Sequence, residues 1–230
     1  MLLSGKNAFV LVGTDGVGAA IAEVLRAEGA GVVATELSGV EVGAAFEAAR
    51  GTLGGVDILV NAVTDWDVLG VAGWGADAWR RLSERNAGVA ASAAQAALAG
   101  LRRPGAVCFV STTWSMATSP EMGLIGASKA AIGPITKALA LEGATSGLRA
   151  NAVVMGLIDT PQMRGVVDSR RAPAEGQADA SLFDASVQRV PMRRAGTAQE
   201  VAKAVAFLCS DHARMINGAS VLVDGGLLYA

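Results

Sequence analysis

Short apolar runs alternate along this chain with longer stretches whose apolar positions recur every three or four residues. The runs at 7–12, 31–35, 56–60, 105–111, 148–154 and 219–223 predict strands. Helical spacing covers 19–28, 77–101, 122–143 and 199–208. A further helix is expected from Ser38, which with Glu41 reads as a capping box, through about residue 50. Residues 160–190 carry charge, Pro173 and Gly176 with little periodicity, and read as a mobile flap within one domain spanning 1–230. Strands that alternate with helices in this way predict an α/β fold with a Rossmann-like, doubly wound parallel sheet. Strands of such a sheet are covered on both faces, which is why these runs are apolar throughout.

Composition narrows the function classes. The 230 residues are 52% hydrophobic, 17% charged and 4% aromatic, with 29 glycines. A net charge of −2 gives no footprint for nucleic acid or an anionic membrane. No leader is expected at the N-terminus, and polar residues are expected to interrupt every run long enough to span a bilayer. A cytoplasmic protein is the resulting expectation. Cys108 and Cys209 lie far apart, one in a predicted strand and one in a predicted helix, and read as buried free thiols. The single histidine, His212, falls in a loop and reads as a surface residue. One histidine and two distant cysteines make no metal site.

Several motifs follow one another in a telling order. They are Val12-Gly13-Thr14-Asp15-Gly16-Val17-Gly18, then Asp57-Ile58-Leu59-Val60-Asn61-Ala62, then Asn86, then Ile125-Gly126-Ala127-Ser128-Lys129. Asn151 through Gly156 with Thr160 comes next, followed by Pro191-Met192-Arg193-Arg194-Ala195-Gly196 and Asp224-Gly225-Gly226. Over nearly its whole length the chain resembles the short-chain dehydrogenase/reductase family. That resemblance implies hydride transfer from a nicotinamide cofactor, with a tyrosine four residues before the lysine exchanging a proton with the substrate oxygen. Here that position holds Ile125, which has no proton to give. The one tyrosine is Tyr229. Thr112 stands where the family's serine would be and could still donate a hydrogen bond, or simply cap a strand end. Without a phenol to tune, Lys129 reads as a salt-bridged or snorkelling residue. Asn86 reads as a structural, helix-bending asparagine. All four are vestigial positions, and no functional catalytic group is expected. Trp114 is expected to fold over the emptied cleft.

The nucleotide side departs from the family pattern as well. Gly13, Gly16 and Gly18 could bring backbone amides to a pyrophosphate, but their spacing is one residue shorter than the family's. Asp15 puts a carboxylate into that turn and would repel phosphates unless it points away. Only residues 36–55 separate the second and third strands, enough for one helix but not for the additional strand that the resemblance implies. The sheet is therefore expected to have six strands, one edge strand–helix unit being missing. Glu36 sits where an acid would take ribose hydroxyls and favour NAD. Asn61 leads into Ala62-Val63-Thr64, where Val63 and Thr64 add bulk beside the nicotinamide channel. Together these changes predict weak or vestigial cofactor binding, with no cofactor held tightly by this chain.

What survives points to assembly. Small residues stud the helices at 77–101 and 122–143, and close helix approach needs such residues. The chain ends in the apolar stretch Leu227-Leu228-Tyr229-Ala230. We expect a non-catalytic subunit that pairs with an active, NAD-dependent short-chain dehydrogenase through these helices and the C-terminal region, as a heterodimer or heterotetramer. The pattern is similar to hetero-oligomeric family members such as the two-subunit hydroxyacyl-CoA dehydrogenase of benzylsuccinate degradation. NAD(H) would then sit in the partner. Arg164, Arg170 and Arg171 could meet a CoA phosphate, meet the partner's acids, or serve as solvated charge. Two alternatives stay open: a self-standing NAD(P)-dependent oxidoreductase with an atypical proton donor, and a cofactor-independent enzyme or small-molecule binder on the same scaffold.

Overall fold

The computed structural model describes residues 1–37, 41–169 and 181–230. Six strands, β1 (Asn7–Val12), β2 (Gly31–Glu36), β3 (Ile58–Ala62), β4 (Gly105–Thr112), β5 (Leu148–Met155) and β6 (Ser220–Val223), form one sheet in the order β2-β1-β3-β4-β5-β6. Every pairing is parallel. Strand order reverses between β1 and β3, so the loops leaving their C-terminal ends diverge and open a crevice, the place where such sheets bind ligands. The β2–β3 crossover holds one helix, α2 (Val42–Leu53), and the sheet has the six strands expected.

Both faces of the sheet are covered. On one, α1 (Val17–Ala27) and α9 (Ala198–Cys209) bury Ile21, Leu25, Val201 and Val205 against Ala8, Val10, Val60 and Val110. On the other, α2, α4 (Val89–Gly100) and α6 (Ile132–Gly143) bury Phe46, Ala93, Ala97 and Leu139 against Phe9, Leu59 and Phe109. Alternate residues of each strand thus serve opposite cores. Cys108 on β4 and Cys209 at the end of α9, far apart in sequence, are brought together, and both thiols are free and buried.

Several expected elements differ in detail. The long helix at 77–101 is broken into α3 (Ala76–Leu82) and α4 by a π-helical turn, Ser83–Gly88. The helix at 122–143 is α5 (Gly123–Ala130) followed by α6. Against expectation, the run Gly123–Ser146 is long and apolar enough, by length and composition, to cross a membrane. Half of it is buried inside the domain, and its Ile132, Leu139 and Ala140 belong to the sheet's core. The start of α2 is Val42, with no side-chain cap from Glu41; Ser38, and so the expected capping box, lies outside the described residues.

The expected flap is largely structured where it is described. Thr160 caps α7 (Pro161–Asp168) and Ser181 caps α8 (Leu182–Val187). Asp168 joins them by accepting from Ser181 Oγ and the Phe183 amide. Met163, Val167, Phe183 and Val190 pack with Leu157 as a small cluster over the C-terminal ends of the strands. Pro173 and Gly176, with Arg170 and Arg171, lie outside the described residues.

Candidate functional site

The turn after β1 keeps its glycines for reasons of backbone. Gly16 has φ 80°, in the left-handed region that favours glycine. A Cβ at Gly13 would stand 3.0 Å from the Ala62 carbonyl, and one at Gly18 2.9 Å from Val12 Cγ1. Asp15 does not point away from this turn. It is buried at 3% exposure, and its Oδ1 accepts from the Val17 amide at 3.1 Å, at the N-terminus of α1. The chain's own carboxylate therefore occupies the position where a helix N-terminus would meet a phosphate. Burial pushes the Asp15 carboxyl above its ordinary range, opposed by the Val17 amide and by the charge of Lys129. Asp15 Oδ2, Thr64 Oγ1 and Trp66 Nε1 are all buried without a hydrogen-bond partner. Glu36 is exposed at the end of β2, and Asn61 is buried in β3 with its Oδ1 accepting from the Val63 amide.

The catalytic positions come together, but as packing. Ile125 is fully buried on α5 in a cluster with Leu82, Met122 and Leu124, against which Trp66 and Trp114 lie. The two indoles meet edge-on, 5.9 Å between centroids at 86°, and roof the position. Trp114 is thus half-buried over the cleft, as expected. Trp66 carries no motif and escaped the sequence reading; the signal was a bulky aromatic just beyond Val63 and Thr64, where the family resemblance implies small residues. Thr112 is buried at the end of β4, its Oγ1 accepting from the Trp114 amide and its carbonyl from Ser115 Oγ. Asn86 is fully buried in the π-turn, donating to the Asp65 carbonyl and Ser128 Oγ and accepting from the Asp65 amide. Its polar groups are consumed in holding the turn, which fits the structural reading.

Lys129 departs most from expectation. It neither snorkels nor forms a salt bridge: it is 1% exposed, and its Nζ donates to the Val63 carbonyl at 2.6 Å and the Val110 carbonyl at 3.3 Å. Burial lowers its pKa from 10.5 to about 8, against the pull of Asp15. The lysine ties the ends of β3 and β4 together beneath the crevice. Arg164 is likewise committed within the chain, pairing with Asp159 and Asp184 and lying 4.3 Å over the Phe183 ring. His212 is exposed on a short turn, and among the described residues no group of His, Cys, Asp and Glu could hold a metal ion.

Restoring the phenol alone should fail. Ile125→Tyr forces a larger, polar side chain into a cluster of Leu82, Met122, Leu124 and Val166 with two indoles packed against it. Overpacking of this kind costs about 1–3 kcal/mol. We expect a lower denaturation midpoint in urea and no ketone reduction with NADH; a folded, active Ile125→Tyr protein would show that the pocket is open.

A family model described as enoyl-(acyl carrier protein) reductase matches residues 38–228. The chain is 32% identical to 3beta-hydroxysteroid dehydrogenase 1 of Eggerthella lenta, covering 98% of this chain and 94% of that protein. It is 30% identical to a 3-oxoacyl-acyl-carrier-protein reductase of Salmonella typhimurium, covering 99% of each. Among solved structures, the ligand-free aldohexose dehydrogenase of Thermoplasma acidophilum superposes with a TM-score of 0.89 at 28% identity, covering 99% of this chain and 96% of that one. A short-chain dehydrogenase of Burkholderia cenocepacia, in complex with NADP, superposes at 0.87 with 27% identity over the full length of both. Motif order, sheet topology and full-length similarity agree: the chain belongs to the short-chain dehydrogenase/reductase family.

Proposed function

We propose that this protein is a non-catalytic subunit of a short-chain dehydrogenase assembly, working in the cytoplasm beside an active, NAD-dependent homologue that acts on a hydroxyacyl thioester or a related hydroxy compound. The observation that carries this reading is Ile125, fully buried under Trp66 and Trp114 at the proton donor's position. No group there can exchange a proton with a substrate oxygen. Asp15 adds a second obstacle, because a buried carboxylate already bonded to the α1 amide does not fit a diphosphate. We derive no step through a nicotinamide in this chain.

The outward helix faces support pairing. Ala91, Gln95, Leu98 and Ala99 of α4 are exposed, as are Ala127, Ala130, Lys137, Ala138 and Leu141 along α5 and α6. Such a small-residue surface lets a neighbouring helix approach closely. Co-expression with an intact relative carrying the Tyr-x-x-x-Lys motif should give a stable mixed oligomer by native mass spectrometry. The activity of that oligomer should survive Lys129→Met in this chain. Ketone reduction by this chain alone, purified free of homologues, would sink the proposal.

One observation favours a second reading, a self-standing oxidoreductase. A lysine with a pKa of about 8 titrates in the range a general acid needs. Its Nζ, however, is spent on two backbone carbonyls and faces no open crevice.

A further inference from the structure

The crevice is closed by a short strap, residues 65–69, that has no regular secondary structure. Two backbone anchors fix its ends. Asn86 holds both the amide and the carbonyl of Asp65, and the Leu69 amide donates to the Glu121 carbonyl at 3.1 Å. Between these anchors Trp66 turns inward. It packs at once against the sheet core, the Ile125 cluster and the small cluster around Leu157 and Phe183. The two acids that flank it turn toward α3, where both meet Arg81. Asp67 Oδ2 accepts from Arg81 Nη2, and Asp65 Oδ2 lies 3.7 Å from Arg81 Nε.

Burying a large indole favours this closed form. Against it, Trp66 Nε1 gives up water and finds no hydrogen-bond partner among the described residues. Thr64 Oγ1 and Asp15 Oδ2 are in the same position close by. A Cβ on Gly13 would stand 3.1 Å from the Thr64 amide, which sets the Asp15 turn directly against this segment. Three polar atoms therefore regain hydrogen bonds when the indole swings out, and much of the gain from its burial is offset. The margin that remains is small, so a partly exposed ion pair can decide it. We infer that Trp66 is a plug and that Arg81 is the latch that keeps the crevice shut. Losing the ion pairs lets residues 66–68 swing about Asp65 and admits small molecules. The inference concerns access alone and does not depend on pairing with another subunit.

The probe is acrylamide, a small neutral quencher, applied to the isolated chain with tryptophan fluorescence as the readout. Trp74 and Trp79 are exposed and form the readily quenched component, so the slowly quenched component reports Trp66 and Trp114. Arg81→Met should raise the quenching constant of that second component about fivefold, the population change that follows from losing one partly exposed pair. Arg80→Met, one residue away, removes only an exposed pair with Asp77 and should change nothing. Adding Asp67→Asn to Arg81→Met should bring no further rise, because the pair is already gone. In the unaltered chain, raising sodium chloride from about 0.01 M to about 1 M shortens the screening length from about 30 Å to about 3 Å and should mimic Arg81→Met. Salt should leave Arg81→Met itself unchanged. Unchanged quenching in Arg81→Met, an equal rise in Arg80→Met, or a parent chain indifferent to salt would overturn the latch. The salt series needs no substitution, so it decides the matter even where Arg81→Met folds poorly.

Discussion

Replacing Asp15 with serine should raise the affinity of this chain for NADH by up to about a thousandfold, read as Kd by calorimetry. Two charges of one sign about 4 Å apart in a partly screened site cost on the order of 4 kcal/mol. That energy corresponds to about three orders of magnitude in Kd. Asp15 sits where this cost is unavoidable, because its Oδ1 already holds the Val17 amide that a phosphate oxygen would take. Serine keeps an oxygen for that amide and removes the charge, so the start of α1 should survive. Gly13, Gly16 and Gly18 still shape the turn for close backbone approach. No turnover should accompany the gain, since Ile125 remains. If Asp15→Ser binds NADH no better than the parent chain, the obstacle lies instead with Val63 and Thr64 or with the shortened edge of the sheet.

The features legible in the sequence were those that repeat along it. Apolar runs and their spacing placed all six strands within two residues, and the short interval before β3 correctly excluded a seventh. The isoleucine at the proton donor's position needed no structure to be seen. The direction of a side chain is a different matter. Whether Asp15 faces solvent or the interior depends on the fold of a glycine turn, and Gly16 adopts a left-handed conformation that no apolar pattern encodes. Lys129 read as a salt-bridged or snorkelling residue because its actual partners, the carbonyls of Val63 just beyond β3 and Val110 in β4, are far away in sequence. The helices α7 and α8 are eight and six residues long, too short for periodicity to separate from a loop. The break at Ser83–Gly88 was only half legible: Asn86 suggested a bend, whereas its three bonds to Asp65 and Ser128 decide its form.

Lys129→Met should destabilise the protein by about 1–3 kcal/mol near neutral pH, the cost typical of leaving buried acceptors without their donor. At about 2–4 °C for each kcal/mol in a chain of this size, the thermal midpoint should fall by about 2–12 °C. Methionine matches the lysine stem in volume, so the loss is polar: the Val63 and Val110 carbonyls go unsatisfied and Asp15 loses its countercharge. The pH dependence separates this account from simple packing. Folding lowers the lysine's pKa from 10.5 to about 8, so between those values the unfolded chain holds a proton that the native chain has released. Stability contributed by this group is therefore full above pH 10.5 and is lost as pH falls through about 8. The parent protein should gain on the order of 3 kcal/mol from this group across that window, and Lys129→Met should remove that component of the rise. Identical slopes in the two proteins would mean that Lys129 titrates in the native state as it does in the unfolded chain, which would contradict its burial. The same measurement bears on function. A lysine whose proton is governed by its burial and by the charge of Asp15, and whose Nζ is held by the Val63 and Val110 carbonyls, ties the crevice floor together and needs no substrate to do so.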